Sequence, residues 1–132
     1  MTELIHRLHP SFTHRESPGF VAVFLNLFNS TSLAHPASEP PPLDHRVPDR
    51  AWRTSHLIPF LGHIALERYH CDSDGDGHDD GDYVRAVVNG RQQVMGGCED
   101  GLEGSCRWET FHDWVNGRAE RWSDWTTVCK KE

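Results

Sequence analysis

The hydrophobic pattern divides the chain into four segments separated by polar or proline-rich stretches. Residues 20–28, Phe-Val-Ala-Val-Phe-Leu-Asn-Leu-Phe, are apolar on nearly every face, and period alone fits a buried helix and a buried strand equally well. Ser17-Pro18 directly upstream is typical of a helix start, with Ser at the N-cap and Pro at the first helical position. The pattern therefore predicts a buried helix of about three turns, which needs covering on all sides.

The clearest helical pattern lies over residues 52–69. Pro59 must lie in the first turn of this predicted helix, because a deeper position would break the hydrogen-bond ladder. We interpret His63 and His70 as residues that flank and end the helix rather than as ligands. Four apolar residues give the one-face spacing of the helix: Leu57, Leu61, Ile64 and Ala65.

Residues 83–95 predict a β-hairpin. Asn89-Gly90 lies between two extended runs, and Asn-Gly in this position is the strongest short-range hairpin signal. Residues 108–119 then predict an amphipathic terminal helix, with four apolar residues on one side: Phe111, Trp114, Val115 and Ala119.

Two irregular stretches separate these elements. Residues 30–50 predict a proline-rich loop, in which Pro40-Pro41-Pro42 favours a stiff polyproline segment. Residues 72–82 predict an acidic, glycine-rich loop that begins in the order of an EF-hand. Tyr83 stands where the bidentate glutamate belongs, so we favour a solvated connection. A small secreted Ca²⁺-binding or interaction module is the alternative.

Composition and charge limit the function classes. The 132 residues fit one domain, and a hydrophobic fraction of 36% is low for a chain that closes its own core. The formal net charge of −7 disfavours binding to nucleic acid or to anionic membranes. No apolar run approaches the ~20 residues of a membrane span. The ten histidines show no zinc-ligand grouping with cysteine, so no metal or cofactor is predicted.

Four cysteines and the sequon Asn29-Ser30-Thr31 indicate an oxidising, secretory history, with Asn29 as the glycosylation site. The start of the chain nevertheless has no apolar core of signal-peptide type. Two interpretations remain: a cytosolic protein with free thiols and an accidental sequon, or the C-terminal piece of a longer secreted protein. Cys98 and Cys106 are close together among glycines, so their loop can close as a disulfide without strain. Cys71 and Cys129 have no local partner; they pair with each other, stay free, or belong with cysteines elsewhere.

The candidate chemistry lies in the turn His14-Arg15-Glu16, between a predicted strand end at Phe12-Thr13 and the predicted helix start. Ligands of open α/β sheets bind outside the carboxyl ends of strands, and a helix N-terminus favours an anion, phosphate above all. His14 and Arg15 add hydrogen-bond donors, and Glu16 adds a proton carrier. The turn is a candidate phosphate site with a built-in acid; a solvated turn of three polar residues is the alternative.

The chain from about Phe12 to Cys129 resembles the C-terminal part of the histidine acid phosphatases, the secreted fungal-type acid phosphatases and phytases of the phosphoglycerate-mutase-like superfamily. The order and spacing of several segments carry this resemblance. These segments are Phe12-Thr13-His14-Arg15-Glu16 with the apolar run to Asn29, Ile58-Pro59-Phe60 through to Cys71, the hairpin 83–91, Gly97-Cys98 with Cys106, and residues 125–129.

The resemblance implies an α/β fold, the C-terminal part of a phosphoglycerate-mutase-like three-layer sandwich with a late β-hairpin and a terminal helix. Residues 1–132 would form a single incomplete histidine-phosphatase domain. The implied activity is hydrolysis of phosphate monoesters at acid pH. His14 and Arg15 would bind the phosphate, and His14 and Glu16 would be catalytic, with Glu16 protonating the leaving alcohol. Arg15 stands where many members have the acid directly after the histidine.

The family's Arg-His-Gly-x-Arg-x-Pro loop, which supplies the nucleophilic histidine, does not occur in this sequence, and Asp44-His45-Arg46-Val47-Pro48 is not an equivalent. We therefore interpret the chain as a fragment that is inactive alone and takes a phosphomonoester only with the missing N-terminal half. The family is secreted. The resemblance also implies the disulfide between Cys98 and Cys106, and pairing of Cys71 and Cys129 with upstream cysteines. The oligomeric state is left open.

Overall fold

The computed structural model of the protein describes residues 16–29, 43–44, 47, 50–72 and 80–124. These residues contain the helices α1 (Ser17–Phe24), α2 (Thr54–Leu57) and α3 (Trp108–Ser123). They also contain the strands β1 (Ile64–Cys71), β2 (Gly81–Val88), β3 (Arg91–Gln93) and β4 (Cys106–Arg107), with a short 3₁₀ turn at Leu102–Gly104. The fold is thus a mixed one, with helices packed on a four-stranded antiparallel sheet. The predicted strand end at Phe12-Thr13 and most of the predicted loop 30–50 lie outside the described residues.

Strand β2 organises the sheet. Along one edge it pairs with the full length of β1, from Ile64 opposite Val88 to Cys71 opposite Gly81. Its other edge pairs first with β4 and then with β3. Because side chains alternate between the two faces of a strand, Val84, Ala86 and Val88 share one face, and all three are buried. This face forms the floor of the hydrophobic core.

The predicted hairpin over residues 83–95 is confirmed. Asn89 and Gly90 both have positive φ, 50° and 79°, as a type I′ turn requires. The Asn89 side chain also ties the turn to α2: its Oδ1 accepts a hydrogen bond from the His63 amide at 2.8 Å, and its Nδ2 donates to the His56 carbonyl at 2.6 Å. Asn89 therefore determines the turn conformation and also attaches the hairpin to α2.

The prediction of one helix over residues 52–69 is wrong. Helix α2 has four residues and is followed by a turn in which Leu61 has a φ of 60°. The chain then runs straight into β1. In β1, contacts with the neighbouring strand favour a strand over the helix that the apolar spacing predicts. Arg85 Nε donates to Glu67 Oε2 at 2.6 Å, and the rings of Tyr69 and Tyr83 stack with centroids 5.8 Å apart.

The predicted helix after residue 16 is confirmed, but its extent and burial differ from the prediction. Glu16, not Ser17, is the N-cap residue, and the helix ends at Phe24 after about two turns. Helix α1 packs against α2 and β1. Phe20 is 76% exposed and Val23 is 61% exposed, so the expectation of burial on all sides is wrong.

The predicted terminal helix is confirmed and extends to Ser123. Trp108, Phe111 and Trp114 on α3 pack against the core, whereas Ala119, which the pattern placed on the same side, is exposed. Four further core side chains come from the turn after α1, from α2, and from the stretch after β3, and all are buried: Leu25, Leu27, Leu57 and Met95.

The turn after α1 is fastened to the stretch after β3. Asn26 Nδ2 donates to the Gly96 carbonyl at 2.7 Å, and the Gly96 amide donates to the Asn26 carbonyl at 3.1 Å. A β-bridge between Leu27 and Met95 continues this contact. A methyl group at Gly96 would lie 2.7 Å from Asn26 Nδ2 and 3.1 Å from the Asn29 carbonyl oxygen, so only glycine fits.

We expect Gly96→Ala to destabilise the protein by about 1–3 kcal/mol, because the added methyl group overpacks this buried contact. Gly117→Ala is the matched control: nothing lies within 4 Å of a methyl group there, inside exposed α3. This control should stabilise the fold by about 0.5–1 kcal/mol. Urea unfolding followed by Trp fluorescence measures both changes. Equal effects of the two substitutions would show that the Asn26–Gly96 contact does not hold the fold.

Candidate functional site

Of the predicted phosphate turn His14-Arg15-Glu16, the structure describes Glu16 alone. Glu16 is exposed and has a φ of −81° and a ψ of −20°, and its carbonyl accepts a hydrogen bond from the Gly19 amide at 3.0 Å. Glu16 therefore stands at the positive end of the α1 dipole. The predicted helix start after Glu16 is confirmed, but the helix begins one residue earlier than predicted. The positions of His14 and Arg15 relative to it lie outside the described residues.

The opposite end of α1 is capped by α3. Arg118 Nε donates to the Phe24 carbonyl at 2.7 Å, and its Nη2 donates to the Val23 carbonyl at 3.3 Å. The guanidinium also lies 5.1 Å from the centroid of the Trp114 ring. A cation at the C-terminal carbonyls complements the helix dipole, so Arg118 helps to position α1 and, through it, Glu16.

A second arrangement of ionisable groups lies at the far end of β1. We call His70, Asp72, Asp80 and Asp82 the His70 cluster. His70 Nδ1 lies 2.9 Å from Asp82 Oδ1, and His70 Nε2 lies 3.3 Å from one carboxylate oxygen of Asp72 and 3.3 Å from one of Asp80. Arg68 forms a further ion pair with Asp82. One imidazole thus faces three carboxylates.

The contacts shift two pKa values within the His70 cluster. The hydrogen bond with Asp82 raises the pKa of His70 above its ordinary 6.5, and the charges of Asp72 and Asp80 raise it further against the lowering effect of desolvation. The hydrogen bond from Arg68, followed by that from His70, lowers the pKa of Asp82 below its ordinary 3.8. Each partner therefore favours the charged form of the other.

The prediction of a helix over residues 52–69 misses the His70 cluster, because it places His70 at the end of a helix. In a strand, Arg68 and His70 lie on the same face, and the register puts His70 directly opposite Asp82. The cluster could have been predicted from an alternating pattern over residues 64–71 that is followed by an acidic stretch and a second strand. The metal-ion alternative for loop 72–82 stays a prediction, since residues 73–79 lie outside the described part of the chain.

Cys98 and Cys106 lie at disulfide-bonding distance, with their Cα atoms 5.2 Å apart, and both are buried. The loop between them presents Asp100 to the start of α3. Asp100 Oδ1 accepts from the Arg107 amide at 3.1 Å, and its Oδ2 accepts from the Thr110 hydroxyl at 2.7 Å. Asp100 lies close enough to both sulfurs to share a metal ion with them, but sulfurs bonded to each other are not thiolate ligands. Asp100 therefore acts as an N-terminal cap for α3.

Two other predicted positions are described in part. Cys71 is half-buried at the end of β1 and has no disulfide partner among the residues that the structure describes; Cys129 lies outside them. Asn29 Nδ2, the atom that glycosylation would modify, donates to Asn26 Oδ1 at 2.9 Å. Since Ser30 and Thr31 are not described, glycosylation of Asn29 stays a prediction.

Within the described ranges, no helix is long and apolar enough to span a membrane. No protein-family model matches the chain, and no curated protein or solved structure matches it. The resemblance to histidine acid phosphatases therefore stays a hypothesis that depends on the residues themselves.

We expect Arg118→Gln to destabilise the fold by about 1–2 kcal/mol, because it removes a charged donor from two helix carbonyls. The amides of α1 should then exchange with solvent faster than those of the β1–β2 pair. Arg121→Gln, an exposed cation one turn later on the same helix, is the control and should change stability by less than about 0.5 kcal/mol. Urea unfolding and amide exchange by NMR measure the two effects. If α1 exchange is unchanged in Arg118→Gln, Arg118 does not position this helix.

Proposed function

We propose that the chain supplies the C-terminal part of a histidine acid phosphatase and takes part in hydrolysis of phosphate monoesters at acid pH. The observation that carries this proposal is the location of Glu16, which occupies the N-cap position of α1 and follows His14 and Arg15 directly in the sequence. A helix N-terminus preceded by two basic side chains attracts a phosphate group. In this proposal, the Glu16 carboxyl group at the same helix start exchanges a proton with the bound ester.

In the proposed reaction, a histidine from an Arg-His-Gly-x-Arg-x-Pro segment attacks phosphorus while the bond from phosphorus to the ester oxygen breaks. The products of this step are a phosphohistidine and an alcohol, and water then releases inorganic phosphate. His14 and Arg15 hold the phosphate oxygens throughout. Glu16 gives its proton to the leaving alcohol oxygen, a contribution of about 10²- to 10⁴-fold in rate for a well-placed general acid. This chain provides the second half of the machinery, and the nucleophile comes from the other half.

The apolar surface of α1 supports the part of this proposal that concerns a larger body. Phe20, Val21 and Val23 are all exposed in a helix of only eight residues. Neighbouring exposed apolar side chains of this size are typical of a surface that packs against more protein. We propose that this face of α1 packs against the half that carries the nucleophile, and that the two parts together form a phosphoglycerate-mutase-like three-layer sandwich.

The sulfur chemistry favours a secreted parent protein. The close pair Cys98 and Cys106 is buried beneath the start of α3, where a disulfide would fix the Asp100 cap. Disulfides persist in oxidising compartments, and the sequon at Asn29 has a function only in the secretory pathway.

We expect the chain alone to release no p-nitrophenol from p-nitrophenyl phosphate at about pH 5, because it lacks the Arg-His-Gly-x-Arg-x-Pro segment that supplies the nucleophilic histidine. Turnover by the chain alone at rates typical of enzymes, roughly 1–10³ s⁻¹, that disappears in His14→Ala would contradict the proposal. A steady-state colorimetric assay of the purified chain measures this.

Fusion of the chain to a segment that carries Arg-His-Gly-x-Arg-x-Pro should restore hydrolysis. In the fusion, Glu16→Gln should lower kcat by about 10²- to 10⁴-fold, since the amide cannot donate a proton to the alcohol. Glu109→Gln, which changes the first-turn glutamate of α3, is the matched control and should leave kcat unchanged. An active fusion in which both glutamine variants turn over alike would remove Glu16 from the mechanism.

A further inference from the structure

Strand β1 is an edge strand, which pairs on one side only among the described residues. Its register with β2 runs over all eight residues without a bulge. The Asn89 amide donates to the carbonyl of His63, directly before β1, at 3.0 Å, so the odd-numbered residues of this stretch bond toward β2. Because successive strand residues direct their backbone groups to alternate sides, those of four residues point away from the sheet: Ile64, Leu66, Arg68 and His70.

The outward backbone groups of β1 are open to another strand. Within the ranges that the structure describes, no other backbone group bonds to them. A row of free N–H and C=O groups on an edge strand is a template for pairing, which natural proteins usually block with proline, a bulge or charge. Strand β1 contains no proline, and its central charges are already paired, Glu67 with Arg85 at 2.6 Å and Arg68 with Asp82. The edge is therefore not blocked.

An apolar side chain lies beside this free backbone. Leu66, near the middle of β1, lies opposite Ala86 on the core face of the sheet, yet it is 48% exposed. Helix α1 packs against β1 but leaves this side chain half open. A strand that pairs with the outer edge would cover Leu66 and bond to the backbone in the same step. The edge thus offers both kinds of contact that strand addition uses.

The edge can pair with a second copy of itself. Two copies of β1 in one continuous antiparallel sheet are related by a two-fold axis that places one residue opposite its own counterpart. Charge selects the position of this axis. An axis at Glu67 or Arg68 would set like charges directly opposite each other, and an axis at Tyr69 would set Arg68 opposite the imidazole of His70.

An axis at Leu66 avoids these contacts between like charges. Leu66 then meets Leu66 of the second copy, and residues 64–68 of the two copies pair. In this register Ala65 faces Glu67, and Ile64 faces the aliphatic stem of Arg68, which can cover an apolar neighbour while its charge stays with Asp82. The edge is therefore self-complementary in one register.

We propose that β1 is a self-complementary docking edge, through which two copies of this chain join their sheets into one antiparallel sheet with the two Leu66 side chains in contact at the two-fold axis. The proposal does not depend on the phosphatase proposal, since no residue of the turn 14–16 takes part. The edge also differs from the exposed apolar side of α1. Because the paired segment is short, the dimer is weak and forms only as the concentration rises.

Sedimentation equilibrium of the full chain tests the proposal, after iodoacetamide has blocked free thiols so that only non-covalent association is measured. The average mass should rise from that of one chain toward that of two between about 10 μM and about 1 mM, the range of a weak, small interface. Leu66→Lys and Leu66→Glu should each weaken association at least about tenfold, because like charges then meet at the axis. A parent chain that stays monomeric at the highest concentration would overturn the proposal.

A mixture of the two variants tests the contact at the axis directly. Equimolar Leu66→Lys and Leu66→Glu should associate again, since opposite charges then meet. Val23→Lys and Val23→Glu are the matched control pair, because Val23 is 61% exposed on α1, outside the proposed edge, and they should associate like the parent. The proposal is overturned if the mixture does not recover association, or if Val23→Lys abolishes association while Leu66→Lys leaves it unchanged.

Amide hydrogen exchange of the parent chain covers the case in which a variant fails to fold. The outward amides of Leu66 and Arg68 should gain protection as the concentration rises through the association range, whereas the inward amides of Ala65 and Glu67 stay protected throughout. Protection of the outward amides that is independent of concentration would show that other residues of the same chain cover the edge. Outward amides that exchange freely at every concentration would show that nothing pairs with it. Either result would overturn the proposal.

Discussion

The position of α1 depends on one pair of hydrogen bonds between two sequence-distant segments, in which the side chain and the backbone carbonyl of Asn26 both bond to the backbone of Gly96. Together with the Leu27–Met95 bridge and the hydrogen bonds from Arg118, they fasten the first described segment to the rest of the fold. The turn after α1 uses an unusual backbone to reach this contact, with φ values of 50° at Asn26 and 63° at Phe28. Asparagine tolerates such a conformation better than most residues, and its side chain also supplies the donor. The requirement for glycine at position 96 follows from the same close approach.

Charge placed at the ends of elements is the second organising feature. Arg118 closes the C-terminal end of α1, and Asp100 closes the N-terminal end of α3, so each helix dipole meets an opposite charge from elsewhere in the chain. In the His70 cluster, opposite charges likewise meet where β1 ends and β2 begins. Each of these charges adds a modest stabilisation to elements that are held mainly by packing against the core.

The elements that could be predicted from sequence are those whose determinants are local. Asn89-Gly90 specifies its turn by itself, and the apolar spacing of residues 108–119 needs no partner to be interpreted as a helix. The prediction for residues 52–69 failed because their determinants are distant: Glu67 and Tyr69 become strand residues through Arg85 and Tyr83 across the sheet. At the candidate site, the helix start beside Glu16 was visible in the sequence, whereas the convergence of Asp72 and Asp80 on His70 required the strand register.

The separation in sequence of these contacts has a consequence for the order in which the protein assembles. The strands β1, β2 and β3 follow one another along the chain, so the meander closes only short loops and can form early. The links from α1 reach across 70 residues at Asn26 and 94 at Arg118, so docking of α1 comes late. An element that docks last through a few contacts is also the first to open in the native ensemble. We therefore expect α1 to open before the sheet does, and its exposed apolar side is the face that we propose to pack against another protein surface.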